Sequence, residues 1–281
     1  MKQLLLLGLA LVSFSLAAQS PWPRSKAGFF VQAAWQTIPT YDAVFESLND
    51  LTIQPDREIT ENTFQLYGEY GLTRRNTLFA SLPVRSLKSG DFIPQHFEMP
   101  EMAEGHIRGL GNASLGLRSA ILTGKLRLTG TLRFDLPTQR YDEAIGLRTG
   151  YNTWSIQPML STGMGLGRWY WFTHAGYGFR TRGYSDVINA GGEIGLKAWK
   201  FWLVGFTELV YSMENGHVSL PIRNRIKNSF VDRQGWWSLG AKTIFEANAH
   251  WGLTASFAGA GWAQFVPKSP GISLGVYFKQ K

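Results

Sequence analysis

Arg127, Thr129, Thr131, Arg133 and Asp135 occupy one parity of a single stretch, and Leu126, Leu128, Leu132, Phe134 and Leu136 occupy the other. Side chains on a strand point to opposite faces in turn, so this stretch offers charge on one side and hydrocarbon on the other. The same parity rule gathers Glu69, Arg118, Glu193, Lys197, Glu208 and Lys242 onto the polar face, with Gln65, Arg85, Gln157 and Glu246. Left unpaired, Arg118, Arg127 and Arg133 form an anion-attracting rung. Set beside Glu69 and Asp135, they become ion pairs that stiffen a narrow interior. Acyl transfer is the other chemistry to weigh, and it needs a serine, a histidine base and a group that orients it. The histidines are His96, His106, His174, His217 and His250, and none opens an H-x-S-N-G stretch or an H-E-x-x-H zinc pair. Cysteine is absent, so thiolate metal sites, disulfides and a lipid-modified cysteine are excluded. Gly163-Met164-Gly165-Leu166-Gly167 leads into a strand rather than a helix, which removes the phosphate-loop reading. No catalytic residue, metal or cofactor is expected.

The elements that carry these faces recur along the chain. Alternating stretches are read at about 27–37, 61–71, 76–88, 112–122, 126–137, 152–164, 169–180, 189–198, 201–213, 235–246, 251–262 and 271–279. Short connections such as Thr123-Gly124-Lys125 and Trp199-Lys200 alternate with long ones. This predicts an all-β fold: a transmembrane antiparallel up-and-down β-barrel of about twelve strands, with tight periplasmic turns and long outer loops. Lipid offers no partner for a free backbone N–H or C=O, so the last strand should pair with the first. Residues 1–18 read as a secretory signal peptide, with Lys2, an apolar run from Leu4 to Leu16, then Ala17 and Ala18. Residues 19–26 are expected as a short periplasmic leader and 27–281 as the barrel, exported to the outer membrane of a Gram-negative bacterium.

Tryptophans test that topology. Trp35, Trp154, Trp236, Trp237 and Trp262 fall at strand ends placed outside, and Trp169, Trp171, Trp199, Trp202 and Trp251 at periplasmic ends. Two interfacial girdles are expected, although Trp199, Trp202, Trp236 and Trp262 have inward parity. Residues 201–206 are apolar on both faces, which puts Trp202, Val204 and Phe206 in the interior. The first two outer loops are acidic (Asp42, Glu46, Asp50, Asp56 and Glu58; Asp91, Glu98, Glu101 and Glu104), while Arg223, Arg225, Lys227 and Arg233 make the fifth basic. The net charge of +8 is dispersed over turns, loops and one strand face, so nucleic acid is not an expected partner.

The segment Gly109-Leu110-Gly111-Asn112-Ala113-Ser114-Leu115-Gly116-Leu117-Arg118 resembles the GxGD-x-x-LGLR stretch of the transporter-like, or meta-pathway phenol-degradation, outer-membrane barrels. Tyr67 to Thr73 and Leu82-Pro83-Val84 are similar to that group's E-x-G-L-T turn and LP-x strand. Asn112 stands where that pattern has an aspartate. The resemblance implies an outer-membrane barrel acting as a passive channel and carries no catalytic residues. Ile272, Leu274, Val276 and Phe278 resemble the C-terminal signal read by the barrel-assembly machinery, although Lys279-Gln280-Lys281 follow the aromatic. The expected partners are therefore that machinery, outer-membrane lipid with lipopolysaccharide, and a small solute in the lumen. A structural or surface-interaction barrel working through its loops is the alternative, and a lipid hydrolase a more distant one.

Overall fold

Alternation of apolar and polar residues produces strands whose two faces meet different media. The computed structural model describes residues 19–45, 52–95, 97–218 and 230–280; the expected signal peptide lies outside them. No helix in it is long and apolar enough to cross a membrane. Twelve strands form the wall: β1 Phe29–Tyr41, β2 Arg57–Gly71, β3 Asn76–Phe92, β4 in two segments (Gly105–Leu110 and Ser114–Thr123), β5 Leu126–Asp135, β6 Ser155–Leu166, β7 Trp169–Arg180, β8 Val187–Ala198, β9 Phe201–Ser212, β10 Gly235–Glu246, β11 Trp251–Gln264 and β12 Gly271–Gln280. Each pairs antiparallel with its sequence neighbours, and β12 returns to β1 from Phe29↔Gln280 to Thr37↔Ile272. The sheet has no edge left in that plane, as a membrane-spanning sheet requires.

Leu66, Leu82, Leu117, Ile156, Leu160, Ile194, Leu203, Leu239, Leu253 and Leu274 point outward and are exposed to lipid. The periplasmic hairpins are tight. Gly167 takes the left-handed conformation (φ 64°) in the turn between β6 and β7, where a two-residue connection demands it. β2 and β3 run past the predicted limits to Arg57 and Phe92 and rise above the membrane. There Tyr41, Val44, Ile59, Leu87, Ile107, Ile145 and Leu147 bury one another under the outer loops.

Two tryptophan assignments change. Trp199 was placed inward by parity, yet it sits in the two-residue β8–β9 turn with φ 54° and is 77% exposed. Turn residues do not continue the alternation of the strands they join. Trp262 also has inward parity by count, but a bulge shifts the β10–β11 register between Trp237 and Ser238. Trp262 then faces the exposed Trp237 across the ladder, because an extra residue inverts the faces beyond it.

The strand expected at 112–122 is the interrupted β4. Gly105–Leu110 pairs with β3 alone, and β5 ends at Asp135, opposite Ser114 and Ser155. Above that level residues 136–154 complete the wall. Asn112 holds them there: its Nδ2 donates to the carbonyls of Leu136 (2.9 Å) and Tyr151 (2.8 Å), and its Oδ1 accepts the Tyr151 N–H (2.7 Å).

Candidate functional site

The leader is where the structure departs most from the reading above. Residues expected beneath the barrel turn upward into its bore. The Ala27 N–H donates to the Gly71 carbonyl at the foot of β2, 2.8 Å away, and the chain then folds inward. A Cβ on Gly71 would collide with the Ser25 backbone, so the turn depends on that glycine. Within the bore the Arg24 N–H donates to Thr77 Oγ1 (2.8 Å), and Trp22 stands edge-on to Tyr170 and Phe172 with centroids 5.7 and 5.8 Å away. Gln19 is buried higher in the bore.

Glu69 anchors this segment. Its carboxylate accepts from Arg24 of the leader, from Arg118 Nη2 on β4 (3.2 Å), and from the Tyr67 hydroxyl (2.7 Å). Arg118 also donates to the Trp22 carbonyl (3.2 Å) and is 0% exposed. A guanidinium with no access to water is tolerable only when a carboxylate and further acceptors surround it. The leader thus crosses the lower bore from β2–β4 to Tyr170 and Phe172 on β7.

Beside the leader the lower bore stays open. A cavity of about 520 Å³ lies between β7–β9 and the β12–β1–β2 wall, which carry Phe30, Tyr67, Tyr170, Phe172, Trp202 and Tyr277. Its polar groups are tied across the barrel. Glu193 on β8 accepts from Lys242 of β10 (2.7 Å) and from the Tyr170 hydroxyl (2.6 Å). Glu246 accepts from Lys197 of β8 (2.6 Å) and Lys279 of β12 (2.8 Å).

Above it lies a smaller chamber of about 210 Å³ with a polar lining. The two chambers share Gln36 and Gln65, whose carboxamides are hydrogen-bonded to each other at 3.0 Å. Arg133 pairs with Asp135 on its own strand (2.7 Å), and the Tyr41 hydroxyl donates to Glu61 (2.9 Å). His174 Nε2 lies 3.3 Å from Glu208, near enough to pair but out of hydrogen-bond alignment. Ser161, directly across the ladder from His174, is buried, and its hydroxyl makes no hydrogen bond among the described residues. A serine, a histidine and a glutamate therefore share one level of the bore without the contacts of a nucleophile and its base. Toward the mouth, Arg85 lies over Phe230 at 4.3 Å and Arg180 over Tyr151 at 4.5 Å. Burial raises the pKa of the Tyr151 phenol, which stays neutral there.

The outer rim is stapled by aspartates. Asp56 accepts the Glu101 and Met102 N–H groups, each at 2.9 Å, joining the first two loops. Asp232 accepts the Ser185 N–H (2.7 Å). Asp186 accepts from the Arg180 N–H (2.8 Å), Asn215 Nδ2 (3.0 Å) and the Tyr177 hydroxyl (3.0 Å). Desolvation pushes its carboxyl up, but those donors outweigh it and hold the pKa below the usual carboxylate range. Glu46, Asp50, His96, Arg223, Arg225 and Lys227 lie outside the described residues.

The sequence-predicted residues therefore sort into groups. Glu69 and Arg118 meet, as do Arg133 and Asp135, Glu193 and Lys242, and Lys197 and Glu246; Glu208 meets His174 rather than a lysine or arginine. Arg118, Arg127 and Arg133 do not form a rung. Arg118 is opposite Thr131, so Arg133 sits one inward position above and Arg127 two below. Arg127 makes no ion pair among the described residues. Parity reasoning did not pick out the bore aromatics Phe30, Tyr67, Tyr170 and Phe172. Their inward parity, shared with Gln32, Gln65 and His174 on their strands, was the available signal.

The family described as "Putative MetA-pathway of phenol degradation" matches residues 55–260. No curated protein matches the chain. Among solved structures, the COG4313 outer membrane channel from Pseudomonas putida F1 superposes with a TM-score of 0.68 at 14% identity, covering 96% of this chain and 100% of that one. At that identity the likeness is one of fold. The P. putida toluene transporter TodX is a looser match, with TM-score 0.47, 10% identity, and 92% and 91% of the two chains covered. With its match running from the middle of the first outer loop into β11, the chain belongs to the phenol-degradation family of outer-membrane barrels.

Proposed function

We propose that this barrel is an outer-membrane channel through which small solutes, polar or mildly apolar, pass down their gradient. The observation that carries the reading is the bore itself: two lined chambers that meet at Gln36 and Gln65 inside a wall with a hydrocarbon exterior. A channel in the printed title of the Pseudomonas putida structure, and phenol degradation in the description of the family, agree with it. Export by the signal peptide at residues 1–18, insertion by the barrel-assembly machinery and contact with lipopolysaccharide belong to the same proposal. So does the absence of a catalytic step.

The test is single-channel recording in planar bilayers, with liposome swelling as the second readout. Small discrete steps and swelling in a small phenolic solute support a channel. A barrel that inserts and stays electrically silent, with no swelling in any solute, supports the structural alternative.

A further inference from the structure

We infer that the lower cavity is a binding site for a small aromatic carboxylate, its ring held between two aromatic walls and its anionic group among the cations that end them. The inference rests on the channel reading for its physiological setting, but the site is defined by its own geometry. On one wall Arg24 lies over Phe30 (4.7 Å), Phe30 stacks on Tyr277 (5.4 Å), and Lys279 lies over Tyr277 (5.6 Å). On the other, Tyr170 meets Trp202 edge-on (5.1 Å) and Lys197 lies over Trp202 (5.3 Å). Each wall is a row of rings ending in a lysine, and the two lysines share Glu246. Offset and edge-on contacts to such rows favour another ring.

The charges decide what that ring carries. Glu69 holds two cations, Arg24 and Arg118; Glu246 holds two, Lys197 and Lys279; Glu193 holds one, Lys242. The network therefore has two more cations than carboxylates. A neutral ring would gain nothing from that surplus, and a small anion without a ring would leave the aromatic walls unused. A monoanionic ring compound uses both, through charge-assisted hydrogen bonds to ammonium donors that are not all consumed by Glu246. The volume of about 520 Å³ falls within the range of sites for such ligands.

The pairing also provides a clean test. Removing Arg24 leaves Glu69 with Arg118, and removing Lys279 leaves Glu246 with Lys197, so Arg24→Gln/Lys279→Gln cancels the surplus without orphaning a carboxylate. The probes are benzoate, benzyl alcohol and acetate, titrated calorimetrically into the full-length folded barrel in detergent. Benzoate should bind about tenfold or more tightly than benzyl alcohol, the scale of one charge-assisted contact, and acetate should bind more weakly than either. In the double variant benzoate should lose its preference and bind no more tightly than benzyl alcohol binds to the same variant. Arg24→Lys/Lys279→Arg should keep the preference. Equal binding of benzoate and benzyl alcohol, no binding of benzoate, or a preference that survives the double variant overturns the site. If the double variant does not fold, the wild-type order of the three probes decides. Conducting barrels without benzoate preference would end this proposal and leave the channel standing; benzoate binding to an electrically silent barrel would do the reverse.

Discussion

The lower and upper parts of this molecule use acidic side chains for different purposes. In the lower bore each paired carboxylate joins segments far apart in sequence: Glu69 ties the leader to β4, Glu193 ties β7 and β8 to β10, and Glu246 ties β8 to β12. In the upper bore and rim they pair along one strand or hold loop backbone. Arg133 and Asp135 are two residues apart on β5, and Asp56, Asp186 and Asp232 accept backbone N–H groups that shape loops. Ties buried from water cost much when one partner goes, because a charge is left without solvation. Partly hydrated pairs cost little; Glu246 below (side chain 24% exposed) and Asp135 above (17%) are both of that kind, whereas Glu69 (1%) is buried. The leader and its buried Glu69 tie in the lower bore should therefore govern passage and global stability, and the Asp135 pair and Asp186 staple above should govern local order.

The largest effect is expected from removing the leader. Deleting residues 19–26 takes Trp22 and Arg24 out of the lower bore, and single-channel conductance should rise several-fold. Unchanged conductance would mean that the leader does not limit passage. Next is Glu69→Gln, which strands Arg118 at 0% exposure beside a neutral amide. Such a loss costs about 3–5 kcal/mol. It should appear as a clear fall in the urea midpoint followed by tryptophan fluorescence. A fall no larger than that of a rim variant would erase the contrast drawn above.

How much of this was legible in the sequence depended on what local periodicity encodes. All twelve wall strands were readable, because lipid outside and water or side chains inside force a period of two on each. The inward charges followed from the same rule, and so did the inward places of Val204 and Phe206, both buried in the bore. Trp262 was misread because one bulge resets parity, and Trp199 because a turn abandons it. The course of the leader was not legible. Eight residues without periodicity say nothing about direction, and it is Glu69, Thr77, Arg118, Tyr170 and Phe172, brought together by the closed barrel, that show Trp22 and Arg24 where to lie. Partners escaped for the same reason: parity places Arg118 and Glu69 on one face without saying that they touch, and Arg127 on that face without saying that it makes no ion pair among the described residues.

A middle-sized effect belongs to Asn112, where the wall is completed by loop rather than strand. Its amide donates twice and accepts once, and an ionised aspartate can only accept. Asn112→Asp should therefore cost about 1–3 kcal/mol, the penalty for leaving acceptors unsatisfied. The measurement is hydrogen exchange at residues 136–154 alongside the global urea midpoint; protection should fall first in that segment. Equal stability would show that water replaces the amide without penalty.

The smallest effects lie in the upper region and bound the comparison from below. Asp135→Asn breaks a partly hydrated pair and should cost at most about 1 kcal/mol. Its urea midpoint should barely move where that of Glu69→Gln falls. Asp186 offers a pH readout of the same region. Its carboxyl titrates below the ordinary aspartate range in the folded protein, so its contribution is complete above about pH 4. Below that, the unfolded state binds the proton first, and stabilisation is lost as pH falls through the depressed folded value. Because the group is only partly buried, the loss should stay local to the β7–β8 turn. Protection of the Arg180 amide should decline on acidification while the barrel stays folded, and Asp186→Asn should remove that dependence. A global unfolding transition at the same pH would mean that rim carboxylates carry the stability assigned to the lower bore.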